Sequence, residues 1–472
     1  MRVSLVHPRL IYLPSQPPLG LGYLAACLER AGHEVQFIEG AFTEDDNEIA
    51  QRVCDFKPDL IGVSVMISYH TKSLSLASLF KEYMPKTPVI FGGPHPSVVP
   101  DDILKHSQVD FVMCGEGEDS LIKMVDMMER GNFDPRTIPG LHWRGGQAHE
   151  SHTIRLTDLD EIPWPARHLF PMSQYQHRGY VVSFGFHGGN FNIMMSRGCP
   201  YKCNFCDHSV FGQKPVFRNI DDVIDEIEYV SSHYNIRNFD IMDDTFTMHK
   251  GKVFEFCNKL IERDLNLFWA CRLRVNSVSR EMMELMARAG CVHFSVGIES
   301  VDERVIFATN KKITSKKVLQ VLGWAKEFGI LTIGNFMIGN LGDDPVAIRK
   351  TLDFALDTDE IDIPSFCVLA PLPGTEVFEI GTQRGWIRSY DWDDYRMNTK
   401  DLPIMRNEAM THQEIMDIYS EVANAVRPKI QHAMDTLHAP RINLYPELAM
   451  DEDTKPEPVQ WASVPSEALR EM

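Results

Sequence analysis

The sequence lacks any long hydrophobic run and any excess of positive charge. No 18 consecutive apolar residues occur among its 472 residues, so no segment qualifies as a membrane-spanning helix. The apolar stretch at 3–6 is too short for the hydrophobic core of a signal peptide. Lys and Arg number 47 against 66 Asp and Glu, a net charge of -19, so nucleic acid has no overall electrostatic attraction to this chain. We therefore expect a cytoplasmic protein with a small-molecule substrate.

Internal repeats, low-complexity tracts and a disulfide framework are also missing. The length suffices for about three domains, and 44% hydrophobic with 24% charged residues is typical of a folded chain. Most of the ten cysteines stand singly in apolar segments, as expected of reduced core thiols in a reducing compartment. The exception is one tight group of three.

Residues 1–140 alternate short β-branched runs with amphipathic stretches, which predicts an α/β domain with a doubly wound, Rossmann-like parallel sheet. Predicted strands are 3–6, 35–38, 60–65, 89–91 and 111–113, and predicted helices are 21–31, 48–56, 74–83 and 120–129. Because ligands bind at the carboxyl ends of parallel strands, we expect one binding edge in the glycine-containing loops. These loops hold Gly20 and Gly22, 92–94, and 115–117.

The rest of the chain is predicted to contain a linker, a barrel, a helical extension and a tail. A hairpin and proline-rich linker fall at 141–185, and renewed βα alternation over 186–385 predicts a full or partial (β/α) barrel. Its predicted strands are 192–195, 239–242, 293–297, 331–337 and 364–369, and its predicted helices are 223–232, 252–263, 280–288 and 315–328. The extension, 386–440, contains a clear helix at 414–426, and the acidic, proline-rich 441–472 is expected to be a disordered tail.

Cys199, Cys203 and Cys206 place three thiols on one loop directly after a predicted strand. Three soft ligands at this spacing can converge on one metal centre. A zinc site is one alternative and three unrelated thiols another, but structural zinc takes four ligands and no fourth cysteine or paired histidine lies at a suitable spacing. A [4Fe-4S] cluster held by three cysteines would leave one iron open to bind a reactant.

This Cys-x-x-x-Cys-x-x-Cys pattern, with the aromatic Phe205 before its last cysteine, resembles the radical S-adenosylmethionine (SAM) superfamily. The resemblance implies a [4Fe-4S] cluster whose open iron chelates the amino and carboxylate groups of SAM. It further implies that one electron from the cluster cleaves SAM to methionine and a 5'-deoxyadenosyl radical. Reduced flavodoxin or ferredoxin is then the expected electron donor.

Further motifs match this family in order along the predicted barrel. Asp243 and Asp244 match the position that holds the methionine end of SAM, and Arg272 matches a strand whose basic residue faces the site. Glu299 and Ser300 resemble the residues that contact the polar groups of SAM. The resemblance thus implies that all five contact the cofactor.

Two glycines and a proline-rich turn extend the resemblance. Gly339 and Gly342 are similar to the glycine-rich strand end that packs on the adenine, although Leu341 stands where the family commonly has proline. Residues 371–375 are typical of the same branch.

No second cysteine set precedes the barrel, which argues against the methylthiotransferase branch. The lysine pairs at 311–312 and 316–317 are predicted to lie on a solvated face.

The N-terminal domain resembles the cobalamin-binding domain fused to many radical SAM enzymes, through 18–25, 92–95 and 115–118. The resemblance implies that backbone groups of these loops hold the corrin. The implied contacts are Leu19, Gly20, Gly92, Gly93, Gly115 and Glu116.

The Asp-x-His-x-x-Gly motif, which supplies an imidazole to cobalt in mutases, is absent. We therefore assign no lower cobalt ligand, although His7, His70 and His95 lie beside predicted strand ends and could approach a corrin.

Three functions are open from the sequence. The first is a cobalamin-dependent radical SAM methyltransferase acting on an unactivated carbon, or less often phosphorus, of a small metabolite. The second is a radical deoxygenation, dehydration, cyclisation or ring rearrangement of a sugar, porphyrin or similar metabolite, with or without bound cobalamin. The third is a non-catalytic cobalamin or metal sensor. The aromatic segment 386–395 is either a lid over the substrate or packing for the extension.

Overall fold

The structure, a computed structural model, describes residues 1–9, 16–43, 45–148, 155–176, 190–395 and 402–444. Two parallel sheets flanked by helices dominate it, so the predicted α/β class is confirmed. No helix in these ranges is long and apolar enough to cross a membrane.

The first sheet is doubly wound, as predicted. Its strands are β1 (Arg2–His7), β2 (Glu34–Glu39), β3 (Leu60–Ser64), β4 (Val89–Gly92), β5 (Phe111–Met113), β6 (Leu141–Trp143) and β7 (Gly146–Gln147). The helices are α1 (Leu19–Arg30), α2 (Asp46–Phe56), α3 (His70–Tyr83), α4 (Pro94–Val98), α5 (Pro100–Ile103) and α6 (Glu118–Glu129), with α7 (Met172–Gln176) in the linker. The order is β2-β1-β3-β4-β5-β6-β7, parallel through β5. The order reverses between β1 and β3, the place where doubly wound sheets bind ligands.

The hairpin expected at the start of the linker continues this sheet. β6 pairs antiparallel with β5, with Phe111 opposite Trp143, and β7 pairs antiparallel with β6. The proline-rich segment then packs on α1, where a Cβ on Gly22 would lie 2.9 Å from both Pro165 and Phe170. Gly22 therefore permits close packing and does not line the binding edge that the sequence suggested for it. Residues 149–154 and 177–185 of the predicted linker, with 186–189 of the predicted barrel, lie outside the described residues.

The second sheet is a partial barrel. Its strands are β8 (Phe191–Ile193), β11 (Asn238–Ile241), β12 (Phe268–Leu273), β13 (Cys291–Glu299), β14 (Leu331–Ile338) and β15 (Ile363–Val368). The helices are α8 (Ile220–Tyr234), α9 (Lys250–Arg263), α10 (Arg280–Arg288), α11 (Glu303–Ala308), α12 (Ser315–Glu327), α13 (Pro345–Asp357) and α14 (Glu376–Gln383). All six strands are parallel and follow chain order, and β8 does not pair with β15 in the described part of the chain.

A short ribbon and a long helix complete the fold. The ribbon pairs β9 (Ser196–Arg197) antiparallel with β10 (Val216–Phe217), and the cysteine loop lies between its strands. Helix α15 (His412–Leu444) contacts β15 and runs beyond the predicted 414–426, four residues into the predicted tail. Residues 445–472 of that tail lie outside the described residues, and the domain boundaries stay predictions.

Candidate functional site

The three cysteines of the loop after β8 are free thiols of graded exposure: Cys203 is buried, Cys199 half-buried and Cys206 exposed. The loop begins at Gly198, whose φ of +91° and close approach to the carbonyl of Phe211 require glycine. The backbone N–H of Cys206 donates to the carbonyl of Cys203 at 3.1 Å. The ribbon thus fixes both ends of a compact loop that presents its thiols together.

Electrostatics favour a thiolate at Cys203. The pKa of this thiol is lowered, first because it accepts a hydrogen bond from Cys206 and then because Lys311 and Arg274 stabilise its charge. Arg274 Nη1 donates to Cys203 Sγ at 3.4 Å, and its guanidinium lies 4.1 Å from the ring centre of Tyr201. Thiolate is the form that ligates metals, so this loop is prepared for a positively charged centre.

The spread of the thiols argues against a single zinc ion. Ligands at about 2.3 Å from one tetrahedral zinc lie about 3.8 Å apart. The three sulfur atoms do not all lie within 4.8 Å of one another, and in the described part of the chain only His33, Asp126 and Glu129 form such a close group. A polynuclear cluster accepts a wider ligand set, so the donors fit the iron-sulfur interpretation.

Asp243 holds the strand that leads into the cysteine loop. Its carboxylate accepts from the N–H of Met195 at 2.7 Å and from the hydroxyl of Ser196 at 2.5 Å, and burial raises its pKa to about 6. Asp243, which the sequence predicted to contact SAM, therefore binds the segment just before the cysteine loop instead. Asp244, the next residue, is exposed.

Glu299 and Lys311 form a buried ion pair of 2.7 Å near the cysteines. A Cβ on Gly297 would lie 2.5 Å from both Glu299 Oε1 and Lys311 Nζ, so a side chain there would displace the ends of the pair. Glu299 has a φ of +62°, a strained conformation for a non-glycine residue and one that clusters at functional sites. The expectation that 311–312 is a solvated pair is wrong for Lys311, which is buried, and correct for the exposed Lys312.

Phe205 and Ser300, both predicted cofactor contacts, have different surroundings in the structure. Phe205 lies half-buried beside Leu369 and Trp386, with Lys311 Nζ 5.7 Å from its ring centre. The buried Ser300 hydroxyl lies 3.0 Å from that of Thr351 and accepts from the N–H of Asp302. Phe205 thus borders the ion pair, whereas Ser300 organises the turn into α11.

The glycine-rich end of β14 is a tight turn. Gly339 and Gly342 have φ of +88° and +73°. The N–H of Gly339 donates to Asp343 at 2.9 Å, and burial raises the pKa of Asp343 to about 7. Asn407, from the C-terminal extension, donates to the carbonyls of Asn340 and Asp343 at 2.9 and 3.0 Å. The extension therefore fixes the shape of this strand end.

Polar side chains line the inside of the barrel. The stacked rings of Phe239 and Trp269 lie on the helix side, since Trp269 contacts Phe256 of α9, so alternate strand positions face inward. Arg272, which is exposed and lies 3.5 Å from Met242 Sδ through Nη1, is one such position.

Three uncharged polar residues continue this inner surface. Ser295 on β13 lies opposite Arg272 in the register of the sheet, and Asn335 on β14 lies opposite Ser365 on β15. The side chains of Ser295, Asn335 and Ser365 have no hydrogen-bond partner among the described residues. Their hydrogen-bonding groups are available to a ligand inside the barrel.

The carboxyl edge of the first sheet also carries unpaired polar groups. Gly93 (φ +101°) follows β4, a Cβ there would lie 3.0 Å from the carbonyl of Val65, and Gly115 (φ +82°) follows β5. His70 Nδ1 and His95 Nε2 are buried without a hydrogen-bond partner among the residues that the structure describes, and their rings lie 5.1 Å apart. Orphaned imidazole nitrogens near the half-buried backbone of Gly93 and Gly115 suit the amide arms of a corrin, so this edge fits the predicted group.

The remaining predicted corrin contacts lie at α1 and β4. Leu19 is buried in the first turn of α1, Gly20 is exposed beside it, and Gly92 ends β4. His7 lies 3.0 Å from the carboxylate of Glu39 through Nδ1, so its imidazole is already engaged.

Glu116 joins the first sheet to the cysteine loop. Its carboxylate accepts from Arg197 Nη1 at 2.6 Å and from the N–H of Leu156 at 2.6 Å, and Glu118 lies 2.8 Å from the same guanidinium. All three charged side chains are buried. Arg197 ends β9, two residues before Cys199, so a charged contact links the two candidate cofactor edges.

The aromatic segment 386–395 reaches both edges as well. Trp386 is buried beside Leu369, whereas Trp392 donates to Asp102 at 2.6 Å and lies 5.3 Å from the ring centre of His95. The segment thus packs on the first domain near the orphaned histidines.

Sequence reasoning missed Lys311, Arg274, Arg197 and Glu118. Arg197 and Arg274 lie two positions from a recognised motif and Glu118 lies within one, so proximity to the motifs was a signal for these three. Lys311 lies eleven residues after Ser300, and only its burial and its pairing with Glu299 make it visible.

Comparisons with known proteins agree with this geometry. Residues 13–124 match the family model described as the B12 binding domain, and residues 193–355 match that of the radical SAM superfamily. An uncharacterized methyltransferase of Pyrococcus horikoshii is 30% identical over 88% of this chain and 89% of its own. The anaerobic magnesium-protoporphyrin IX monomethyl ester cyclase of Rubrivivax gelatinosus is 26% identical over 88% of this chain and 76% of its own.

Solved structures share the fold at low identity. The radical SAM methyltransferase TsrM of Kitasatospora setae, with cobalamin and a [4Fe-4S] cluster bound, has a TM-score of 0.71 at 21% identity and covers 89% of this chain and 85% of its own. The cobalamin-dependent SAM radical enzyme OxsB, with aqua-cobalamin and SAM bound, has a TM-score of 0.75 at 16% identity over 96% of this chain and 74% of its own. The predicted arrangement of a Rossmann-like domain before a barrel is therefore confirmed.

Proposed function

This chain belongs to the radical SAM enzymes that carry a B12-binding domain, and from that membership we propose that it is a cobalamin-dependent methyltransferase acting on an unactivated carbon of a small metabolite. The cofactors of such an enzyme are a [4Fe-4S] cluster, SAM and cobalamin. When bound, the cluster and SAM supply hydrogen-atom abstraction, and the corrin supplies the methyl group.

The observation that carries this proposal is the buried contact of Glu116 and Glu118 with Arg197. It ties the loop after β5 to the residue two positions before Cys199. A methyl donor and a hydrogen-abstracting centre must act on the same carbon, so an enzyme of this type needs its two cofactor edges held face to face.

Each cofactor has residues suited to hold it. Cys199, Cys203 and Cys206 would bind the cluster, with Arg274 stabilising the Cys203 sulfur. Lys311 would bind the SAM carboxylate and Glu299 its amino group, because a buried pair of opposite charges complements an amino acid zwitterion. The backbone at Gly93 and Gly115, with His70 and His95, would contact the corrin.

The substrate would lie inside the barrel. Arg272 would bind and orient it from one side, and Asn335 and Ser365 would donate or accept hydrogen bonds from the other. The packing of Trp392 on the first domain would help to exclude water from the space between the edges.

A protein donor would supply the electron for each SAM cleavage. We propose reduced flavodoxin or ferredoxin in this role, in the reducing environment of the cytoplasm that ten unpaired cysteines suit.

The second candidate function is a radical cyclisation or rearrangement without methyl transfer. It is favoured by the cyclase of Rubrivivax gelatinosus, which aligns over as much of this chain as the Pyrococcus protein does. Product mass separates the two, because methyl transfer adds one methylene and cyclisation does not.

The test begins with anaerobic reconstitution using iron, sulfide and hydroxocobalamin, followed by desalting. About four irons and about one corrin per chain are expected. Incubation with methyl-deuterated SAM and a metabolite extract should then yield a product that carries the labelled methyl group.

The control is Cys203→Ala, which should lose iron and 5'-deoxyadenosine formation while retaining corrin, because its site is on the other domain. Four irons without retained corrin would contradict the methyltransferase assignment and favour the second function. Retained 5'-deoxyadenosine formation in Cys203→Ala would contradict the cluster assignment.

A further inference from the structure

An exposed apolar side chain marks the surface beside the cysteine loop. Phe307, on α11, is 88% exposed, the highest value among the large hydrophobic residues in the described ranges. It borders a cleft of about 530 Å³ that also includes Asn204 of the cysteine loop and Lys312. We call the surface formed by Phe307, Lys312, Lys316 and Lys202 the loop face.

The loop face is bonded directly to the cysteine loop. Asn204, between Cys203 and Cys206, donates through Nδ2 to the carbonyl of Ala308 at 2.8 Å and through its N–H to that of Thr309 at 3.3 Å. Asn310 Nδ2 donates to the carbonyl of Lys202 at 2.7 Å. Direct hydrogen bonds therefore join the loop face to the cysteine loop.

The charges of the loop face differ from those of the whole chain. Lys202, Lys312 and Lys316 are exposed and, within the described residues, none pairs with a carboxylate, although the chain carries a net charge of -19. Glu303, one helical turn before Phe307 on α11, and Glu376 also line the cleft. An acidic partner would be attracted by the lysines and repelled by the two glutamates.

We propose that the loop face docks a small acidic one-electron carrier protein, an inference that rests on the proposed function. One electron passes from the reduced carrier to the oxidised cluster, so the carrier is oxidised by one electron and the cluster reduced by one, with no bond made or broken. Electron-transfer encounters bury less than about 1,200 Å² and depend on charge steering, which suits one exposed ring among lysines.

The experiment compares two reductants on the reconstituted holoenzyme: a reduced flavodoxin, and dithionite, which needs no docking site. The variants are Phe307→Asp and Lys312→Glu, with Val346→Asp and Lys86→Glu as controls, since Val346 is 72% exposed on α13 and Lys86 is exposed on the first domain. Flavodoxin-driven SAM cleavage should fall roughly tenfold in the two loop-face variants, because an interface anchor contributes that much or more. Dithionite-driven cleavage should not change, and neither rate should change in the controls.

A second measurement reads binding without activity. The Kd of oxidised flavodoxin for the immobilised holoenzyme should rise roughly tenfold in Phe307→Asp and in Lys312→Glu, and it should fall in Glu376→Lys because a repulsive charge is removed. Each difference should shrink as salt is added.

The outcomes are distinct. Unchanged flavodoxin binding and rate in both loop-face variants would overturn the docking proposal, and equal loss with both reductants would show that the variants damage the site itself and overturn it too. If the unaltered enzyme cleaves no SAM with dithionite, the proposed function fails, while the binding measurement still decides the docking face.

Discussion

Replacing Arg197 with methionine should destabilise the protein far more than replacing an exposed arginine, because it leaves the buried carboxylates of Glu116 and Glu118 without their cation. Arg197 Nη1 lies 2.6 Å from Glu116 and 2.8 Å from Glu118, and the side chains of all three are at most 5% exposed. Removing one partner of a buried ion pair costs about 3–5 kcal/mol, because the remaining charge has lost its compensation. We expect Arg197→Met to fall in that range.

The pH dependence gives a second signature of the same contact. Burial raises the pKa of Glu116 even with Arg197 present, although the arginine opposes that rise. A carboxyl whose pKa is higher in the folded than in the unfolded chain makes the folded state take up protons first, so stability is gained as the pH falls. Without the arginine this gain should be larger, and the penalty of Arg197→Met should shrink as the pH falls.

The assay is urea unfolding of the anaerobically reconstituted protein, followed by tryptophan fluorescence. The set is Arg197→Met, Glu116→Gln and the double variant, with Arg263→Met as the matched control because Arg263 pairs with Asp225 on the exposed surface. The two single changes should be non-additive by about 0.5–3 kcal/mol, as residues in one charged contact are. Additive effects, or a loss in Arg197→Met no greater than in Arg263→Met, would refute the reasoning.

Three further predictions follow from other contacts of the site. Lys311→Gln should raise the KM for SAM roughly tenfold with iron content unchanged, since a charge-assisted hydrogen bond contributes about 1.5–3 kcal/mol; an unchanged KM with normal iron would contradict the assignment. Gly93→Ala should cost about 1–3 kcal/mol of stability and lower corrin retention after desalting, because a φ of +101° and a Cβ 3.0 Å from a carbonyl disfavour any side chain, whereas Gly323→Ala, on α12 of the barrel where a Cβ meets nothing within 4 Å, should cost no stability and leave corrin retention unchanged. Asp243→Asn should remove a stability gain of up to about 3 kcal/mol that the unaltered protein shows in urea unfolding between about pH 7 and pH 4, because burial raises the pKa of Asp243 from 3.8 to about 6; identical pH profiles would exclude that carboxyl as the source.

The alternation of apolar runs predicted most of the fold because the spacing of the apolar residues in each run indicates either a strand or a helix. The strand predicted at 3–6 is β1, and the helix predicted at 223–232 lies within α8, since buried parallel strands and amphipathic helices have different periods. The hairpin at 141–147 was placed in the linker, although it continues the first sheet through β5. A hairpin forms between residues close in sequence, so the sequence predicts it. The strand beside which the hairpin pairs depends on which edge the rest of the sheet leaves open.

In the candidate site, too, features set by neighbouring residues were predicted, and features set by residues distant in sequence were not. The cysteine spacing and the glycines with positive φ are local, so the sequence alone located them. The partner of a charged residue is not local: Lys311 was read with Lys312 as a solvated pair, and its burial depends on Glu299, which the bulge between Gly297 and Glu299 in β13 turns toward it.

The same reasoning separates residues that bind a cofactor from residues that hold the site together. Asp243 and Glu116 match family positions near the two cofactors, yet their carboxylates are bound to Met195 and Ser196 in one case and to Arg197 in the other. The zwitterion of SAM would compensate Glu299 and Lys311 together, but turning the carboxylate of Asp243 or of Glu116 to a ligand would leave a buried donor or cation uncompensated, which costs more than one new contact returns. We therefore infer that both act by positioning the cysteine loop, Asp243 from the barrel side and Glu116 from the first domain. The loop is fixed on both sides, as the proposed action of two separately bound cofactors on one substrate carbon requires.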